Sequence, residues 1–304
     1  MGATAAIPSG PSRRRAALAA GLDLIRPHRA AVRPWLVGEV LIVLLLVKVY
    51  DYVRSFAHLH EQQAFHNAQS LLSFEAVAHV DVERGLNAWY TAHHTVAVAS
   101  SYWYEYTHVG VTLTALAACY LLMPAAYRAA RNTLVLTNVI GMAIFLFYPV
   151  MPPRLLPGGG FVDTVVTAGF GSTHMGPVQE DQYGAMPSLH VAWAVWVAIV
   201  VFVMLRRYGW RMVVVLYPLI MSVVVIGTAN HYVLDVIAGV LIALGAAVLT
   251  GLFVYGERPR AALAAAAPAP AATPVPPPRS DDTGEPSSSA PASPSPAAEP
   301  PVRR

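Results

Sequence analysis

The stretch Gly184-Ala185-Met186-Pro187-Ser188-Leu189-His190 ends a polar segment and leads into an apolar run from Val191 to Leu205. Serine is preferred immediately before a helix, so Ser188 is predicted to be the N-cap of this run. The first turn of such a helix offers free N–H groups and the positive end of the dipole, which favour a bound anion. A histidine at the end of a membrane-like segment is costly unless it is paired or used. His190 is therefore predicted to act beside an anion, and the alternative is a helix-end histidine bonded to a backbone carbonyl.

A second motif, Asn230-His231-Tyr232-Val233-Leu234-Asp235, lies between two later apolar runs. His231 and Asp235 are four residues apart, so on a helix they would share a face and could form a hydrogen bond. A carboxylate in this position fixes the tautomer of the imidazole ring and makes it a better nucleophile. The alternative interpretation is a structural His–Asp pair within a packed bundle.

Arg154 lies in a proline-rich turn, Tyr148-Pro149-Val150-Met151-Pro152-Pro153-Arg154-Leu155-Leu156-Pro157, directly after another apolar run. A guanidinium held in this way can bind phosphate oxygens through two parallel hydrogen bonds. The alternative is an arginine that reaches towards the membrane interface. Taken together, the three segments predict a single site that handles a phosphate group.

The composition is that of a membrane protein: 56% of the 304 residues are hydrophobic and only 12% are charged. Several apolar runs approach the roughly 20 residues needed to cross a bilayer as a helix. We therefore predict an all-α polytopic integral membrane protein, a bundle of six transmembrane helices. The predicted spans are Trp35–Phe56, His108–Tyr127, Thr133–Met151, Ser188–Leu205, Met212–Thr228 and Tyr232–Tyr255.

Three regions surround or interrupt these spans. Residues 1–34 are basic and are predicted to be a cytoplasmic segment leading into a retained signal anchor at the start of the membrane domain, residues 35–256. The stretch Ala57–Thr107 is rich in aromatic residues and is predicted to form interfacial helices beside the core. Residues 257–304 are rich in Ala, Pro and Ser and are predicted to be a disordered tail. The lone cysteine, Cys119, is interpreted as a small buried hydrophobe.

Arginine positions predict the orientation of the six spans. Basic residues cluster in four segments that a six-span arrangement puts on one side, which is the cytoplasmic side by the positive-inside rule. These residues are Arg13, Arg14, Arg15, Arg26, Arg29, Arg33, Arg128, Arg131, Arg206, Arg207, Arg211, Arg258, Arg260, Arg279, Arg303 and Arg304. Arg154, His190, His231 and Asp235 then lie together on the opposite, extracytoplasmic side, and both termini are cytoplasmic.

Three ordered blocks resemble the type 2 phosphatidic acid phosphatase superfamily, and within it the branch of inositol phosphorylceramide synthases and their bacterial relatives. The blocks are Pro152–Arg154, Met186–His190 and His231–Gly239. The resemblance implies that His231 is the nucleophile and becomes a phosphohistidine, with Asp235 orienting it. It also implies that His190 protonates the leaving group and later activates the acceptor. Arg154 and Ser188 would stabilise the phosphorus, without a metal or another cofactor, and the substrate would be a membrane lipid phosphate.

The sequence departs from the commonest phosphatase pattern at positions that bear on the reaction. Leu189 replaces the glycine before His190, Val224 and Val225 replace a Ser-Arg pair, and Phe147 replaces a lysine. We therefore expect transfer to an alcohol, such as a polyol or sugar, rather than simple hydrolysis, and Arg54 is a candidate for a missing cationic ligand. The alternatives are a lipid or prenyl (pyro)phosphate phosphatase and a non-catalytic membrane transporter or scaffold.

The remaining histidines raise the question of a metal site. No CxxC or HExxH spacing joins them, and interface histidines account for most of them. They include His58, His60, His66, His79, His93, His94, His108 and His174. The expectation is a protein without a metal, another cofactor or a nucleic-acid partner.

Overall fold

The computed structural model describes residues 33–56, 60–167, 169, 183–205 and 213–253, except the side chain of Arg54. All of these residues belong to one compact unit, Met1–Ala262. Within the described ranges the regular structure is helical, apart from one isolated bridge, so the predicted all-α class is confirmed for this part of the chain. Almost the whole N-terminal segment and the entire tail lie outside the described residues.

The described ranges contain ten α-helices. In chain order they are α1 (Leu36–Arg54), α2 (Glu61–Val77), α3 (Glu83–Ala92), α4 (His94–Tyr102), α5 (His108–Leu122), α6 (Pro124–Phe147), α7 (Thr164–Thr167), α8 (Leu189–Met204), α9 (Leu216–Gly227) and α10 (Val233–Leu249). A π-helical turn, Trp103–Thr107, joins α4 to α5. A 3₁₀ turn, Pro153–Leu155, precedes α7.

Helix α6 is the one helix among the described residues that is long and apolar enough to cross a membrane. Helices α8, α9 and α10 are apolar but shorter, with 16, 12 and 17 residues. Six spans therefore remain a prediction. One boundary was wrong: only Met123 separates α5 from α6, because Pro124 starts α6 at a position where its missing N–H does no harm. Arg128 and Arg131 consequently lie in the first turns of α6 and not in a loop.

Helix α8 lies at the centre of the bundle. It packs against α5, α6, α9 and α10, and it is apolar on every side, as expected of a helix surrounded by others. Trp196 is fully buried, and its indole Nε1 donates to the carbonyl oxygen of Ala130 at 2.8 Å. Helix α8 therefore fixes where His190, in its first turn, lies relative to the other helices.

The start of α8 and the start of α10 approach each other very closely. The backbone N–H of Ser188 donates to the carbonyl oxygen of Asp235 at 2.9 Å. A Cβ added to Gly239 would lie only 2.4 Å from the carbonyl oxygen of Ser188, whereas one added to Gly245 on the same helix would meet nothing within 4 Å. The glycine of the third sequence block therefore allows the second block to lie against it.

The described residues between α1 and α5 are largely helical, as predicted. Leu71 and Leu72 are buried, whereas Phe74 and Val82 are exposed. The buried residues of α2 repeat with helical spacing and are Ala64, Ala68, Leu71, Leu72 and Glu75. A buried glutamate therefore continues the apolar face of α2. The interfacial location of these helices remains a prediction.

Candidate active site

Backbone hydrogen bonds bring the three sequence blocks together. Val150 and Gly184 form a parallel bridge, in which the N–H of Val150 donates to Tyr183 O at 2.8 Å and the N–H of Ala185 donates to Val150 O at 3.1 Å. The N–H of Arg154 donates to the carbonyl oxygen of Ala229 at 2.9 Å. The loop after α6 thus touches both the loop before α8 and the loop before α10.

His231 is buried and lies just before α10, which begins at Val233. Its Nδ1 is 2.8 Å from the carbonyl oxygen of Ala185 and 3.5 Å from Oδ2 of Asp235. A carbonyl oxygen can only accept, so the neutral ring carries its proton on Nδ1 and its lone pair on Nε2. His231 and Asp235 face each other as predicted, but His231 precedes the helix instead of lying in it, and the carbonyl of Ala185 is its nearer partner.

Asp235 is completely buried in the first turn of α10. Its Oδ2 accepts the N–H of Tyr232 at 2.9 Å, so the carboxylate caps the helix as well as facing His231. Within the described residues its Oδ1 has no hydrogen-bond partner. A negative charge at this distance from Nδ1 stabilises a positively charged ring on His231.

His190 faces His231 across the site, with the two ring centroids 6.0 Å apart. Its ring stacks on Tyr104 at 4.2 Å, and His108 lies at the same centroid distance on a tilted plane. Nδ1 of His108 donates to the carbonyl oxygen of Tyr104 at 2.8 Å. Sequence reasoning treated His108 as one of several scattered histidines and Tyr104 as an interfacial aromatic. The π-helical turn that brings both to His190 has no pattern in the sequence that could have revealed it.

Arg154 lies in the 3₁₀ turn and lines the same cavity as the two histidines. Its Nη1 donates to Oδ1 of Asn230, and its Nε lies 3.3 Å from Oδ2 of Asp163. Neither partner was identified from the sequence. The position of Asn230 beside His231 was a usable signal, whereas Asp163 stands in a loop without any motif.

Ser188 is the N-cap of α8, as predicted, and its Oγ accepts the N–H of Val191 at 3.4 Å. Ser188 is fully buried, whereas Leu189 and His190 line the cavity, and a phosphate-binding role for Ser188 stays a prediction. The side chain of Arg54, together with His58 and His174, lies outside the described residues. Among the residues that are described, no group of three or more His, Cys, Asp or Glu side chains could hold a metal ion.

A cavity of about 550 Å³ opens from the two histidines and Arg154 into the helix bundle. Its volume lies within the range of roughly 300–1,000 Å³ that is usual for ligand sites. Apolar side chains of α1, α5 and α6 form much of its wall; they include Val43, Leu46, Leu116, Leu134 and Val135. The cavity therefore combines histidine and arginine side chains at one end with walls suited to a hydrocarbon chain.

Fold and site together define a class of protein: helical proteins that present histidine and arginine side chains at the end of an apolar cavity, an arrangement suited to lipid-like phosphates. The chain belongs to the PAP2 superfamily, whose family profile matches residues 69–249, more than half of the sequence. No curated protein and no solved structure matches the chain.

Membership confirms the resemblance at the level of the superfamily, whereas the inositol phosphorylceramide synthase-like branch stays a prediction. It supports a phosphatase-type enzyme that acts on phosphorylated, lipid-like substrates. Members of this superfamily are generally membrane proteins, which agrees with the apolar helices of the bundle.

Proposed function

We propose that the protein is a membrane lipid phosphotransferase that works through a phosphohistidine at His231. The observation that carries the proposal is the hydrogen bond between Nδ1 of His231 and the carbonyl oxygen of Ala185, at 2.8 Å. Because that bond keeps the proton on Nδ1, the lone pair of Nε2 is available for attack on phosphorus. His231 lines the cavity, where a lipid phosphate can reach it.

In the first step, Nε2 of His231 forms a bond to phosphorus while the bond from phosphorus to the leaving oxygen breaks. His190 donates a proton to that oxygen, and Asp235 stabilises the positive ring of His231. In the second step, His190 takes the proton of an acceptor hydroxyl, whose oxygen attacks phosphorus and releases His231. Acid–base catalysis of this kind contributes roughly 10²–10⁴-fold. The two rings lie 6.0 Å apart, centroid to centroid, and both line the cavity, so both can reach one phosphoryl group bound there.

Arg154 is assigned to the charge that develops on the phosphoryl oxygens. Asn230 and Asp163 hold its guanidinium, so that part of its orientation is set before substrate binds. Ser188 is assigned to the same task as the N-cap of α8, whose first turn carries His190 and favours a bound anion. These roles rest on position in the site and on the chemistry of the side chains.

The acceptor is proposed to be an alcohol, such as a polyol or sugar, because Leu189 lines the cavity beside His190 and an apolar side chain there disfavours water. Purified protein incubated with a labelled lipid phosphodiester and inositol is expected to form a new phospholipid, and product formation should rise with inositol concentration. The readout is thin-layer or mass-spectrometric detection of the labelled product.

The rival functions give different outcomes in the same experiment. Release of free phosphate or phosphoalcohol at full rate, unaffected by any acceptor, would assign a lipid or prenyl (pyro)phosphate phosphatase. Absence of turnover with every phosphorylated lipid tested would favour a non-catalytic transporter or scaffold.

The site is proposed to face the extracytoplasmic side of the cell membrane, in a multi-pass protein with both termini in the cytoplasm. Arg128 and Arg131 stand in the first turns of α6 and Arg154 follows its last turn, so one membrane-length helix separates them. The excess of arginines in the predicted cytoplasmic segments supports this orientation.

We expect an impermeant thiol reagent applied to whole cells to label Val162→Cys and to spare Arg128→Cys. Both positions are exposed, and the buried Cys119 is replaced by alanine in both variants. Labelling of both after permeabilisation is the control for reactivity. Labelling of Arg128→Cys alone in intact cells would place the site in the cytoplasm and contradict the proposed sidedness.

A further inference from the structure

Two glutamates that sequence reasoning overlooked bind the backbone immediately after His231. The N–H of Val233 donates to Oε1 of Glu83 at 2.9 Å, and the N–H of Leu234 donates to Oε1 of Glu75 at 2.7 Å. The first N–H groups of a helix have no partner within the helix and need one elsewhere. With Asp235 capping Tyr232, carboxyl groups from three different helices satisfy three consecutive N–H groups.

Both glutamates are completely buried, and they come from α2 and α3, which precede the rest of the site in the chain. Helix α2 also holds the loop that carries Arg154. Its Asn67 donates from Nδ2 to Pro149 O at 2.8 Å, and Ala64 O accepts the N–H of Met151 at 3.1 Å. Helix α2 is therefore connected to both halves of the site.

We propose that Glu75 and Glu83 are positioning residues that hold the start of α10, and with it His231, in the geometry needed for phosphoryl transfer. The inference rests on the proposed function of His231. Neither glutamate is assigned a contact with the substrate. Their action passes through the backbone of residues 233 and 234, two and three positions after the nucleophile.

The charge state of the pair supports this role. Burial raises the pKa of Glu75 from its ordinary value of 4.5 to about 9; the hydrogen bond from Leu234 acts in the opposite direction, and the neighbouring Glu83 and Asp235 raise it further. Among the described residues, Tyr232 at the start of α10, Arg84 beside Glu83 and His231 facing Asp235 are further titratable or charged groups of this cluster. At neutral pH Glu75 therefore keeps its proton, and the two glutamates can remain adjacent without repelling each other.

The first test compares two substitutions of Glu75. Glutamine retains an acceptor oxygen and cannot ionise, whereas leucine removes the acceptor at similar size. Glu75→Gln should keep kcat near the wild-type value at neutral pH, and Glu75→Leu should lower kcat about 10- to 100-fold with little change in KM. Gln69→Leu, at an exposed position of α2, is the matched control and should behave as wild type.

The pH profile separates positioning from a general structural role. The wild-type kcat is expected to fall as pH rises through about 9, because Glu75 then ionises and the repulsion between the two buried carboxylates disturbs the start of α10. Glu75→Gln should lack that loss of kcat.

The stability of the fold should also decrease with rising pH, because between pH 4.5 and about 9 the folded protein keeps a proton on Glu75 that the unfolded chain loses. Its thermal stability should therefore fall relative to Glu75→Gln as pH rises through that window.

Amide hydrogen exchange provides a readout that does not depend on turnover. The amides of Val233 and Leu234 should be protected in wild type and in Glu75→Gln, and Leu234 should exchange faster in Glu75→Leu. If the wild-type protein turns over no phosphorylated lipid, the proposed function is wrong. The exchange rates of Val233 and Leu234 would still test whether Glu75 holds the start of α10. Unchanged kcat and unchanged exchange in Glu75→Leu would overturn the positioning role of Glu75. If Glu75→Leu does not fold, a kcat of Glu75→Gln that still falls above pH 9 would overturn that role instead.

Discussion

Replacing His231 with alanine is expected to reduce phosphotransfer by about 10⁴-fold or more, to the background of the assay. The variant lacks the proposed nucleophile, because the Nε2 lone pair that the Ala185 hydrogen bond makes available is lost with the ring. Wild type incubated with a lipid labelled in its phosphate should also yield an acid-labile labelled protein. His231→Ala should yield none.

His94→Ala is the matched control, because His94 is an exposed histidine at the start of α4, outside the cavity. It should retain wild-type turnover and labelling. Near-normal turnover by purified, folded His231→Ala would rule out a covalent mechanism through this residue.

The second large effect is expected on assembly of the bundle. Gly239→Ala puts a methyl group 2.4 Å from the carbonyl oxygen of Ser188, which is far inside van der Waals contact with backbone that cannot rotate away. Overpacking of this kind typically costs about 1–3 kcal/mol of folding free energy. The variant should unfold at a lower temperature in detergent, and its turnover should fall because the start of α8 carries His190.

Gly245→Ala provides the comparison on the same helix. A Cβ at that position meets nothing within 4 Å, so the variant should gain up to about 1 kcal/mol from the better helix propensity of alanine. Equal melting temperatures for the two variants, measured by intrinsic fluorescence or differential scanning fluorimetry, would show that α8 and α10 do not approach this closely.

Much of the fold could be predicted from the sequence, because an apolar run long enough to be a helix is a property of consecutive residues. The ends of the helices were harder to predict from the sequence. The arginines near the start of α6 indicated a loop, yet a single residue, Met123, makes the turn and Pro124 begins the next helix. Charge indicates which side of a membrane a segment occupies, but it does not determine where hydrogen bonding stops.

For the site, the sequence identified residues with distinctive side chains and missed those that act through the backbone. His190, His231 and Arg154 were found because their motifs carry unusual chemistry in an apolar chain, and all three line one cavity. Glu75 and Glu83 were missed because a glutamate in a mixed polar helix is normally on the surface. Their partners are N–H groups distant in sequence, and no local pattern encodes such a contact.

The hydrogen bond from His231 to the main chain of Ala185 has a consequence for how variation acts on this enzyme. Every amino acid provides the same carbonyl oxygen, so no exchange of side chains at position 185 can delete the acceptor. Substituting every other amino acid for Ala185 would change the packing, because Ala185 is buried, but it would not remove the hydrogen bond that sets the imidazole tautomer. The tautomer depends instead on the path of the loop backbone, and the bridge between Val150 and Gly184 holds this loop in place. Side chains around His231 can therefore change while the tautomer of its ring is preserved.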